Sequence, residues 1–132
     1  MADHILIVDD DAVVLALLSK VIRSNGLNAE AVDSAEKALE MLKDHPYDLI
    51  LMDVNMRGMD GFSAVETIRG KGIRTPIIIV SGRKEDFDTL YGLDIGADDY
   101  ITKPFNPVTL GAKVKALIRR SRNSVTGTES II

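Results

Sequence analysis

His4-Ile5-Leu6-Ile7-Val8-Asp9-Asp10-Asp11 is an unbroken apolar run that ends in three consecutive acids. A short run without polar alternation, rich in Ile, Leu and Val, is the pattern of a parallel strand buried on both faces. Residues 49–53 and 76–81 share it, and these three runs are expected to be central strands. Residues 27–32 are more polar and 99–102 are short, so both are expected at the sheet's edges. Amphipathic segments alternate with the runs. Val14, Leu18 and Ile22 recur at helical spacing with Val13, Leu17 and Val21 beside them, and Gly26 is placed to end that helix. Ser34 can cap a second helix that carries Ala35, Ala38, Leu39 and Leu42 on one stripe and stops at Pro46. A third covers residues 61–69 with Val65 and Ile68 inward; a fourth, residues 84–95, is less periodic and contains Gly92. The fifth runs from Pro107 to about Arg120, burying Leu110, Val114, Leu117 and Ile118, with Lys113, Lys115, Arg119 and Arg120 on its other face. Five strands alternating with five helices imply an α/β fold, one open parallel sheet with right-handed crossovers and helices on both faces. Ligands in such sheets bind beyond the carboxyl ends of the strands, near the switch in strand order.

The 132 residues suit one domain, residues 1–121, followed by a tail or the start of an interdomain linker at 122–132, where periodicity gives way to Ser, Thr, Asn and Gly. There is no cysteine, so neither a disulfide nor a thiolate metal site is available. With 16 basic against 20 acidic residues the net charge is −4, and 45% of the chain is hydrophobic, which excludes long disorder and a generally basic nucleic-acid binder. Apolar runs fall far below the ~18 residues of a membrane span. The start, Met1-Ala2-Asp3-His4, has no basic segment or cleavage motif, and a cytoplasmic protein is expected.

The chemistry is sought at the strand ends. The first strand ends in Asp9-Asp10-Asp11 and the third in Asp53. If these strands are neighbours, carboxylates converge, and like charges so close are costly without a cation between them. An all-oxygen site of this charge suits Mg²⁺. Asp11, just before the first helix, is read instead as that helix's cap. The fourth strand ends in Ser81-Gly82, a hydroxyl beside an unhindered amide, and the fifth is followed by Lys103-Pro104, an ammonium from the opposite side. A carboxylate with a divalent cation, facing a hydroxyl and a fixed positive charge, meets the needs of a phosphoryl group in transfer.

At these residues the sequence resembles the response-regulator receiver family of two-component signalling. The resemblance rests on Val8-Asp9-Asp10-Asp11, on Leu51-Met52-Asp53 followed by Met59-Asp60-Gly61, on Ser81-Gly82, and on Gly96-Ala97-Asp98-Asp99-Tyr100-Ile101-Thr102-Lys103-Pro104-Phe105. It implies the flavodoxin-like sheet order 2-1-3-4-5 and a phosphoacceptor switch rather than an enzyme. It makes Asp53 the phosphorylation site, with Asp10, Asp53 and the backbone carbonyl of Asn55 on Mg²⁺ and Asp9 acting mainly through a bound water. Lys103 would pair with a phosphoryl oxygen or with the acids, Ser81 would move to the phosphoryl group, and Tyr100 would swing inward behind it. The implied partners are a sensor histidine kinase or phosphotransfer protein, and an effector domain or target reached through the fourth helix, fifth strand and fifth helix. The Lys103-Pro104 bond is expected to be cis, because the lysine must be aimed back at Asp53 and X-Pro is where cis is cheap.

Two departures stand out. Arg57 occupies a place where the family usually has Pro, making the loop after Asp53 more positive. The stretch 96–105 is most like the receivers of winged-helix transcription factors, which dimerise through charged pairs. Asp98, Asp99, Lys113 and Arg120 remain, but Thr89 and Thr109 replace two usual partners, so a homodimer is expected to be weak. Two rival readings fit the residues less well. A Mg²⁺-dependent aspartyl-phosphate phosphohydrolase formally fits Asp9-x-Asp11, but there is no room for its cap region and Asp53 and Lys103 go partly unexplained. A flavin or nucleotide carrier needs a phosphate loop after the first strand, where three acids would repel a phosphate. The basic residues of the fifth helix, with Arg122, read as a solvated face, and Phe87, Tyr91 and Tyr100 as core or partner surface.

Overall fold

The computed structural model describes residues 3–126. Its elements follow the chain as β1 (His4–Val8), α1 (Ala12–Ser24), β2 (Asn28–Val32), α2 (Ala35–Asp44), β3 (Leu49–Met52), α3 (Gly61–Gly70), β4 (Ile77–Ser81), α4 (Asp86–Asp94), β5 (Asp99–Thr102) and α5 (Pro107–Thr126). All pairings are parallel, and the sheet order is β2-β1-β3-β4-β5. The polar run β2 and the short run β5 are the edges, as their composition requires.

Alternate residues of the central strands feed two cores. Ile5, Ile7, Leu49, Leu51, Ile78 and Val80 pack with Leu18 and Ile22 of α1 and Leu110, Val114, Leu117 and Ile118 of α5. Leu6, Val8, Ile50, Met52, Ile77 and Ile79 pack with Ala35 and Ala38 of α2 and Ala64, Val65 and Ile68 of α3. Burial on both faces removes alternation from these strands, which is why they read as continuous apolar runs.

Caps set the helix starts. Asp11 accepts from the amides of Val13 and Val14, Ser34 from Lys37 and Asp60 from Ser63. Glu85 gives α4 no side-chain cap. Two sequence expectations change. Val13 and Leu17 are exposed rather than packed, 68% and 51% accessible, because they lie off the stripe of α1 that meets the sheet. The fifth helix does not stop near Arg120 but runs to Thr126: no Gly or Pro interrupts it before Gly127, and Arg122 pairs with Asp3. Of the expected tail, residues 127–132 lie outside the described residues.

Candidate functional site

Sheet register assembles the site. Val8 of β1 is abreast of Met52 of β3, so Asp9 and Asp53 emerge side by side one residue later. Asp53 N–H donates to the Val8 carbonyl at 2.9 Å. Ser81 is abreast of Thr102, and Lys103 N–H donates to the Ser81 carbonyl at 2.8 Å, which delivers the lysine beside the acids. The Lys103-Pro104 bond is cis, as the sequence reading expects.

Carboxylate oxygens of Asp9, Asp10 and Asp53 lie within 4.8 Å of one another. Asp9 and Asp53 are buried, and Asp10 is partly open. Lys103 Nζ donates to Asp9 Oδ2 at 2.8 Å and to Asp53 Oδ1 at 3.1 Å, across 94 and 50 residues of sequence. Asp9 Oδ1 also accepts the Asp11 amide at 2.9 Å. Burial first, and the charge of Asp9 second, hold the Asp53 carboxyl above the ordinary aspartate range, with Lys103 pulling the other way. Burial alone would lower Lys103, but its bond to Asp9 and the attraction of Asp53 outweigh it, and the ammonium is held above the ordinary lysine range. Three hard oxygen donors, two of them buried, make a donor set that fits Mg²⁺.

The remaining sequence candidates surround this cluster. Ser81 is fully buried, and its Oγ accepts the Arg83 amide at 3.0 Å. Asn55 is exposed at the mouth, its Oδ1 accepting from Arg83 at 3.3 Å. Tyr100 already lies inside, 8% exposed, its hydroxyl donating to the Arg83 carbonyl at 2.6 Å. Asp11 is an exposed helix cap apart from the trio.

Three further residues shape the site. Gly61 opens α3 against the backbone of Asp53, where an added Cβ would stand 1.9 Å from the Asp53 carbonyl oxygen. Arg83 joins Asn55 to α4 through Asp88 at 3.1 Å and lies 5.7 Å over the Phe62 ring. Glu36 of α2 accepts the Met59 amide at 3.0 Å and so anchors the loop after β3. The sequence reading missed the last two; their only signals are a cation two places after Ser81 and an acid in the first turn of α2.

Fold and site together are those of a receiver domain of two-component signalling. The chain belongs to the response regulator receiver domain family, whose sequence profile matches residues 5–115. The cell cycle response regulator CtrA of Brucella ovis is 36% identical over 119 residues, covering 90% of this chain and 51% of that protein. Among solved structures, the receiver domain of the Francisella response regulator 1452 superposes with a TM-score of 0.87 at 31% identity, covering 90% of this chain and 98% of that one. The CheY-like receiver domain protein of Methanospirillum hungatei gives 0.88 at 27% identity, covering 94% and 99%. The chain spans about half the length of the curated relatives it matches. Among the described residues, no helix is long and apolar enough to cross a membrane.

Proposed function

We propose that Asp53 accepts a phosphoryl group from the phosphohistidine of a sensor histidine kinase or phosphotransfer protein. An Asp53 carboxylate oxygen forms the new P–O bond as the P–N bond to the donor imidazole breaks, and the imidazole nitrogen leaves with the electron pair. The observation that carries this reading is Lys103 Nζ, held 2.8 Å from Asp9 and 3.1 Å from Asp53: a partly buried cation already aimed at the phosphoacceptor.

Asp10, Asp53 and the Asn55 carbonyl would hold Mg²⁺, with Asp9 acting mainly through water. When bound, the ion offsets the repulsion between Asp53 and the phosphoryl oxygens. Lys103 neutralises one of those oxygens, and the Ser81 hydroxyl donates to another. Adding about −2 of charge beside Ser81 draws that hydroxyl and, through Arg83, the Tyr100 hydroxyl and α4. The surface of α4, β5 and α5 then becomes the output face toward an effector domain or target, Tyr91 within it. The domain is a signalling switch that acts in the cytoplasm.

Radiolabelled acetyl phosphate tests the reading. Label is expected on Asp53 in the presence of Mg²⁺ and lost in Asp53→Asn or in excess EDTA; undiminished label in either would sink it. A phosphate mimic such as beryllofluoride is expected to shift amide resonances of residues 81–105 more than those of α2.

A further inference from the structure

Each member of the acidic cluster has a cation of the chain's own beside it. Lys103 serves Asp9 and Asp53. Arg57 serves Asp10 twice: its backbone N–H donates to Asp10 Oδ2 at 3.1 Å, and its guanidinium Nε lies 3.6 Å from the same oxygen. Asp10 is the most open of the three acids, its side chain 22% exposed against 2% for Asp9 and 7% for Asp53. A cation arriving from solvent therefore meets the cluster first at the carboxylate that Arg57 holds. The loop that carries Arg57 has a second, separate anchor, since Glu36 accepts the Met59 amide at 3.0 Å. Releasing Arg57 from Asp10 frees one end of that loop and leaves the other in place.

We infer that Arg57 is a built-in competitor for the divalent cation, weakening its binding and coupling it to movement of the loop after β3. The inference rests on the metal reading above. The antagonism is reciprocal: whatever Arg57 takes from the cation's affinity, the cation takes from Arg57's hold on Asp10. It has two separable parts. The guanidinium is 91% exposed, so its share is screened by salt. The amide bond is short-range and insensitive to salt.

Calorimetric titration of Mg²⁺ into the wild type and into Arg57→Lys, Arg57→Ala and Arg57→Pro, at low and high KCl, separates them. Arg57→Lys keeps charge and amide and is expected to bind within about twofold of wild type, whereas Arg57→Ala loses the charge and binds about threefold tighter at low salt. Arg57→Pro loses the charge and the N–H together and binds about tenfold tighter. High salt is expected to close the gap between wild type and Arg57→Ala but not that between Arg57→Ala and Arg57→Pro. If Arg57→Ala binds no more tightly than wild type at low salt, the inference is overturned while the metal reading stands; that variant decides should Arg57→Pro fail to fold. If no protein in the series takes up Mg²⁺, the metal reading falls and the inference with it.

Discussion

Asp53 is where the site's electrostatics cost stability. Burial, then the Asp9 charge, raise its carboxyl pKa on folding, so the folded protein binds that proton more tightly than the unfolded chain. The contribution of such a group falls as pH rises from the ordinary aspartate range through the folded pKa, and at neutral pH it is a net cost. Asp53→Asn keeps the shape without the charge and, in EDTA at pH 7, is expected to raise the melting midpoint. The gain should vanish in acid below both pKa values, where Asp53 is neutral folded or unfolded; thermal melts across pH read both effects, and an unchanged or lower midpoint at pH 7 would contradict them. Lys103 shifts in the same direction, but at neutral pH its charged form is a gain rather than a cost. Its pKa rises on folding, so its stabilisation is complete below the ordinary lysine range and is lost only as pH climbs through the higher folded value.

Among the helices, α4 combines the weakest attachment with the most exposed apolar surface. It has no side-chain cap, buries only Asp88 and Gly92, and exposes Phe87, Leu90, Tyr91 and Leu93. Tyr91 links it to α3 through an edge contact with Phe62, ring centroids 5.0 Å apart, and stacks on Phe87. It packs on the sheet at Gly92, where an added Cβ would stand 2.9 Å from Ile79 Cδ1 and 3.0 Å from Tyr100 Cδ2. Elsewhere in a helix, Gly→Ala gains up to about 1 kcal/mol. Here the methyl must displace two core side chains, so Gly92→Ala is expected to lose about 1–2 kcal/mol in urea unfolding. The Tyr100 ring resonances should shift with it, since the same displacement strains the Tyr100 bond to Arg83; a stabilised variant with unmoved Tyr100 signals would show that α4 can step away from the sheet freely.

At the scale of the whole molecule, charges that could pair between copies are engaged within one. Asp98 Oδ2 accepts from Arg69 at 3.0 Å and from the Ile77 amide at 2.8 Å. Asp99 pairs with Lys113 at 3.1 Å. An interface through α4, β5 and α5 would have to reuse these groups, and Thr89 and Thr109 offer no replacement charge. Only exposed Arg120 is left of the four charges singled out in the sequence. Sedimentation of the beryllofluoride-treated protein is therefore expected to show a monomer or a weak dimer. A tight activated dimer would mean that the apolar face of α4 supplies the association instead, and that the internal pairs are given up cheaply.

What the sequence determines by itself is what local pattern and chain length control. Continuous apolar runs require strands buried on both faces, the stops at Gly26 and Pro46 and the caps Asp11 and Ser34 bound helices, and acids at the ends of two buried strands require a counter-charge. Even the cis bond before Pro104 is legible, because the lysine must be aimed back at Asp53 and X-Pro is where cis is cheap. The tertiary structure alone decides what depends on register and on groups far apart in the chain. It brings Lys103 to within 3.1 Å of Asp53 from 50 residues away, sets Tyr100 inward on the Arg83 carbonyl, and turns Asp98, Asp99 and Lys113 to internal partners. It also makes Arg57 a partner of Asp10, which no local pattern encodes: residues 47 positions apart meet only because β1 and β3 pair side by side in the sheet.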